Sequence, residues 1–379
     1  MKRFSEIDSL RIIASILVFI SHYSFPFQYG NLSLIGDSLT GLTGRVGVSI
    51  FFAVSGYLAA HSLSKKDSST IFYLKRAIRV LAPYNIAYFF ISSILIALGA
   101  INLVYFNAAP ITNIITGEAT FIKILPVFFG LDGISNALFG TQFYFLTGEW
   151  FIGTLIFLYL LSPLLFKFIT INIKSSLIFI IISILTSTLI FHLITGKINN
   201  PFWFFLVRIP DFLIGMFLFQ YRSLVLAYGK IILFCSWAIS LLWTTYHLAT
   251  PHELVIADSV IPLAPSSWIV SIPLTLIFFI TSVSANNTYN LDALNHLSKY
   301  SYLFMLMQHV VINIYLPQLP TSEFTLFGFI FMLFFTMTLT VALAHLARKI
   351  TSPVERFLMY KVQGMVILKK IAPTPINRQ

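Results

Sequence analysis

Of the 379 residues, 58% are hydrophobic, 16% aromatic and only 10% charged, against roughly 25% charged in soluble domains. Apolar runs recur along the whole length, which excludes a soluble globular protein and leaves no room for a separate soluble domain. A net charge of +11 would suggest nucleic acid in a soluble chain, but here the cations stand between apolar runs, the distribution that orients helices in a bilayer, so a nucleic-acid partner is excluded.

Ten spans are expected, at about 9–27, 46–63, 79–100, 145–167, 175–195, 203–221, 228–247, 267–284, 300–317 and 324–347. The fold class is therefore all-α, a polytopic membrane protein. The N-terminal MKRF and the apolar run after it mimic a signal peptide, but a small-x-small cleavage site is lacking, so the segment is expected to stay as an anchor.

The first span carries an Arg and a His inside an otherwise apolar helix. At ~100° per residue the step from Arg11 to His22 ends about 20° past three full turns, so both lie on one face, and Asp8 and Ser15 fall in the same arc. The rise between Arg11 and His22 is ~16 Å. An intramembrane ionisable stripe is by default a functional site; the plainer alternative is an Asp8–Arg11 ion pair at the helix end and a packing role for His22.

In the second span Gly44, Gly47, Ser49, Ser55 and Gly56 let helices approach closely, so packing is the expected role. Before the third span, FYLKRAIRVLAPY sets Arg76 and Arg79 at i, i+3 with Lys75 beside them. Two guanidinium forks in that arrangement have the form of a phosphate clamp for a nucleotide-like carrier, although a basic cluster at a helix end also serves topology alone. The long loop 101–144 contains FIKILPVFFGL, too short to cross and interrupted by Pro126 and Gly130, hence an interfacial or re-entrant piece.

The fourth span begins with Glu149 and Trp150. Glu149 could pair with Arg45 or orient His22. In the sixth, Arg208 and Asp211 stand at i, i+3, the spacing of an internal ion pair. The lone cysteine, Cys235, excludes an internal disulfide and a cysteine metal site, and no metal is expected. His252, Glu253 and Asp258 fall in the loop 248–266, read as solvated. In the ninth span Ser298, Tyr302 and His309 share a face and make a second polar stripe. Residues 1–348 are expected to form the membrane domain and 349–379 a short basic tail in contact with lipid head groups. With this alternation nineteen Lys and Arg lie on one side and three, Arg45, Lys123 and Lys197, on the other. Both termini are therefore expected in the cytoplasm.

Six blocks in this order resemble the membrane acyltransferase 3 family, which includes bacterial O-acetyltransferases of surface polysaccharides. They are DSLR with Arg11 and His22 eleven residues apart; GVSIFFAVSGYL, with Ser49 where Asp is common; the Arg-x-x-Arg of Arg76 and Arg79; Trp150, Tyr159 and Pro163 of the fourth span; RIPDFLIGMFL; and YSYLFMLMQH. Leu155 stands where many relatives carry a Glu, so a role for that residue does not transfer. Some relatives end in an esterase-like domain; here a short tail follows the last span, and the acceptor is expected to meet the membrane domain directly.

The resemblance implies an acyltransferase of the bacterial inner membrane that uses acetyl-CoA as co-substrate, with no bound cofactor. The acceptor would be a hydroxyl of O-antigen, capsule or exopolysaccharide, or a lipid-linked precursor. In that scheme Arg76, Arg79 and Arg11 hold the donor's phosphates and His22, with Arg11, is catalytic. His22 acts as general base, an acyl-imidazole being the less favoured variant. Asp8, Ser15, Arg45, Glu149, Trp150, Arg208, Asp211, Tyr302 and His309 are supporting or acceptor-side candidates. The competing readings are a flippase, or a polymerase, for lipid-linked sugar; CoA dependence separates them from the first.

Overall fold

The computed structural model describes residues 5–65, 68–100, 121–140, 150–249, 264–288 and 296–371. Every regular element among them is helical, because in a bilayer each segment must satisfy its own backbone groups. The helices are α1 (Ser5–Ser24), α2 (Ser33–Leu63), α3 (Ser69–Ala100), α4 (Phe121–Phe128), α5 (Asp132–Phe139), α6 (Trp150–Ile169), α7 (Ile173–Ile194), α8 (Ile209–Gln220), α9 (Arg222–Ala227), α10 (Gly229–Ala249), α11 (Ala264–Thr288), α12 (Ser301–Tyr315) and α13 (Leu326–Ile371).

Among the described residues, seven helices are long and apolar enough to cross a membrane: those of α1, α2, α3, α6, α7, α11 and α13. The other three expected spans fall on α8, α10 and α12. Two of these are short α-helices lengthened by tight 3₁₀ turns: Pro201–Trp203 and Phe205–Arg208 before α8, Ser298–Tyr300 before α12 and Leu316–Gln318 after it. Helix ends differ most at α2, which begins at Ser33, and at α13, which runs on to Ile371 past position 348. The re-entrant expectation meets a pair of short helices, α4 and α5, hinged at Gly130 with φ +64°. They lean on α3, where Asn85 Nδ2 donates to the Phe128 carbonyl at 3.0 Å.

The centre is built from α1, α2, α8 and α12. Helix α1 lies along α2, and α2 along α8, and small residues make both contacts possible. A Cβ on Gly47 would meet the Ala14 carbonyl of α1 at 2.9 Å; one on Gly56 or Gly215 would collide with the Phe212 or Ala53 carbonyl of the facing helix. Lipid gives helices no hydrophobic reason to associate, so this close backbone approach supplies the packing energy. Nearly all of α12 is buried, including Met305, Leu306 and Met307. The periphery is the reverse: α7 exposes Leu177, Ile178, Ile181 and Leu185, and α13 exposes Phe327, Phe331 and Phe334, the apolar faces a membrane covers.

Candidate functional site

Three of the basic residues singled out by spacing converge. Arg11 of α1 and Arg76 and Arg79 of α3 line one cavity of ≈ 520 Å³, closed by α2, α6, α12 and α13; specific small-molecule sites fall in the same size range. Lys299 and Arg348 add two further cations, Asp8 and Glu355 the carboxylates, and Phe51, Phe151 and Tyr159 an aromatic wall. Leu155 also lines it, so an apolar side chain stands where the resemblance expects Glu.

Each cation is held differently. The Arg11 side chain is 34% exposed, 3.6 Å from Asp8; Asp8 in turn accepts from Ser298 Oγ at 2.8 Å. Arg76 is buried in the wall: it donates to the Leu58 carbonyl, and its guanidinium lies 5.2 Å from the Tyr159 ring and 5.5 Å from that of Phe72. Arg79, one turn on, is half-buried. Tyr302, from the second polar stripe, donates to the Val80 carbonyl at 2.9 Å and ties α12 to α3 beside the cavity.

The two stripes lie against one another, with α1 and α12 running in the same direction. Asp8 meets Ser298, Ser15 Oγ approaches the Ser301 carbonyl at 3.4 Å while donating to the Arg11 carbonyl at 2.7 Å, and Phe19 packs on Phe304 at 5.4 Å. At the far end the His22 and His309 rings stand 4.0 Å apart, tilted by 31°. His22 Nδ1 is buried and has no hydrogen-bond partner among the described residues. Neutral imidazole offers one accepting nitrogen and one donor.

The cavity walls stop short of this pair, about three turns beyond Arg11. Between these two levels the helices carry Ala14 and Val18 on α1 and Met305 and Leu306 on α12, all buried.

Other candidates lie elsewhere. Arg208 is 0% exposed: Nη2 is 3.1 Å from Asp211 and 3.0 Å from Ser49 Oγ, and the guanidinium is sandwiched between Phe52 and Phe202 at 5.0 and 4.2 Å. Asp211 also accepts from Trp268 Nε1 at 3.3 Å. This network joins α2, α8 and α11 and does not reach the cavity. Trp150 stacks on Trp203 with centroids 5.7 Å apart, a packing contact. Arg45, partly buried on α2, lies outside the cavity lining. Glu149, with His252, Glu253 and Asp258, lies outside the described residues, as do residues 372–379.

Lys299, Arg348, Thr351 and Glu355 were not singled out by the sequence. Their signal was the i, i+3, i+7 spacing of the last three just beyond an apolar run, a single helical face continuing past the last hydrophobic residue.

Comparison with known proteins identifies the family. The family described as "Acyltransferase domain" matches residues 4–345. Over 96 residues the chain is 31% identical to "Acyltransferase MdmB" of Streptomyces mycarofaciens, covering 25% of this chain and 24% of that protein. Over 93 residues it is 32% identical to "O-acetyl transferase" of Shigella phage Sf6, covering 22% and 25%. The chain thus aligns with about a quarter of each relative's length. No solved structure matches.

Proposed function

Because the chain belongs to the acyltransferase 3 family, matched over residues 4–345, we propose that it moves an acetyl group from acetyl-CoA to a hydroxyl of a surface polysaccharide or its lipid-linked precursor. The observation that carries this reading is the convergence of Arg11, Arg76 and Arg79 on one cavity at the foot of a polar stripe that ends at His22. Guanidinium groups are suited to phosphate oxygens. Of the three, Arg79 and Arg11 are partly exposed at the cavity, while Arg76 stiffens the wall through its two rings and the Leu58 carbonyl.

From that anchor the pantetheine arm, roughly 15–20 Å when extended, is comparable with the ~16 Å rise along α1. Neutral His22 takes the proton of the acceptor hydroxyl as its oxygen bonds to the thioester carbonyl carbon. The C–S bond then breaks, and the proton returns from His22 to the departing thiolate. General-base assistance of this kind is typically worth ~10²–10⁴ in rate. His309, its ring 4.0 Å from that of His22 and tilted against it, holds the base in place. The arrangement fits a protein of the bacterial inner membrane with both termini cytoplasmic, so that the basic cavity faces the compartment holding acetyl-CoA; a reporter fused after Gln379 tests that orientation.

The direct test is transfer of label from radioactive acetyl-CoA to a surface-polysaccharide fraction, comparing wild type with His22→Ala and His22→Gln. Loss of transfer in both variants at normal protein levels is expected. Full acetylation by the Gln variant would remove His22 as the base.

A further inference from the structure

The α13 wall of the cavity has no part in the chemistry at His22. Arg348, Thr351 and Glu355, at i, i+3 and i+7, share one face of α13 and line the cavity beside Lys299. Arg348 is set in place there: Nη1 donates to the Lys299 carbonyl at 2.5 Å, and the guanidinium lies 5.4 Å from the Tyr300 ring. The Lys299 ammonium lies 5.0 Å from the same ring. Two cations gathered at one aromatic ring repel each other, a cost that an anion between them reverses in sign.

The depth of this pair is informative. Tyr23, next to His22, donates to the Phe329 carbonyl of α13 at 2.8 Å, so Tyr23 and Phe329 lie at one level. Down α1 from that level Arg11 is ~18 Å away, and down α13 Arg348 is ~28 Å away. Arg348 and Lys299 therefore lie farther from the His pair than Arg11 does, toward the side of the cavity where the carrier end of a bound thioester would lie. Charge agrees. Five cations against two carboxylates leave the lining with an excess of three positive charges. A phosphomonoester carries about −1.5 to −2 at pH 7, so a diphosphate bridge alone underuses that excess and a third, terminal phosphate matches it.

Resting on the donor site proposed above, we infer that Arg348 and Lys299 form a subsite for a terminal phosphomonoester on the nucleotide end of the donor. The protein then selects a thioester carried on a 3′-phosphorylated nucleotide over the same thioester on a carrier lacking that phosphate. Arg348 is a specificity residue in this scheme and takes no part at the thioester.

The test compares acetyl-CoA with acetyl-3′-dephospho-CoA as donors to full-length protein in membranes. Wild type is expected to favour acetyl-CoA by about ten- to a hundredfold in kcat/KM, Arg348→Ala to bring the ratio close to one, and Arg348→Lys, which keeps the charge, to retain part of the preference. Both donors meet the same preparation, so the ratio is independent of how much of a variant folds. A wild-type ratio near one, or an undiminished preference in Arg348→Ala, overturns the inference while leaving acetyl-CoA use intact. Failure to use either donor overturns the proposed function, and the inference with it.

Discussion

Two Asp–Arg pairs with the same i, i+3 spacing stand in opposite surroundings. Asp8 and Arg11 are 3.6 Å apart, with Arg11 about one-third exposed to the cavity; Arg208 and Asp211 are 3.1 Å apart and sealed from solvent by Phe52 and Phe202. The buried pair is covered on all sides and bridges α2, α8 and α11 through Ser49 and Trp268. The outer pair leaves guanidinium surface facing a cavity. Whether an intramembrane ion pair is structural or poised for a ligand is thus decided by what covers it, a property that spacing alone does not carry.

Breaking the closed pair should produce the largest effect. Asp211→Ala leaves a fully buried guanidinium without its carboxylate, a defect typically worth about 3–5 kcal/mol, and should appear as loss of folded protein by size-exclusion chromatography in detergent. Of comparable size but on activity alone, His22→Gln should lower kcat by ~10²–10⁴ with an unchanged elution profile. At the open site, Arg79→Ala should raise the KM for acetyl-CoA about tenfold or more, each charge-assisted contact being worth ~1.5–3 kcal/mol, while thermal stability stays within error; an unchanged KM would leave Arg79 serving topology only. The smallest effect is expected for Asp8→Asn, since partly solvated ion pairs contribute about 0–1 kcal/mol. A melting temperature lowered as far as in Asp211→Ala would erase the distinction between the two pairs.

The stripe from Arg11 to His22 and the Arg76, Arg79 pair were legible because helical periodicity alone brings those residues together. That the second stripe lies on the first was not: Asp8 meets Ser298 across 290 positions, and periodicity is silent about which helices adjoin. Arg348, Thr351 and Glu355 were missed because hydropathy follows lipid contact and stops where the apolar run stops, whereas α13 continues as a helix whose polar face turns to the cavity. The early start of α2 has the same origin. Residues 33–45 include Gly36, Asp37, Thr40, Gly41, Thr43 and Gly44, too polar for a lipid-facing segment. They are nonetheless suited to a helix that packs on protein, as where Ser21 Oγ of α1 donates to the Thr40 carbonyl at 2.5 Å.

The apolar stretch of Ala14, Val18, Met305 and Leu306 between the cavity and the His pair has an electrical consequence. A unit charge moved through the full membrane potential costs or gains about 2.3 kcal/mol per 100 mV. With five cations gathered at the cavity, the proposed scheme keeps the donor's phosphates there and sends only a neutral thioester arm toward the His pair. In that scheme the acetyl group carries no charge, so the field across the bilayer would do no work on its transfer. A flippase moving an anionic lipid-linked sugar would feel it fully; the proposed transferase should turn over at the same rate in proteoliposomes with and without an imposed potential.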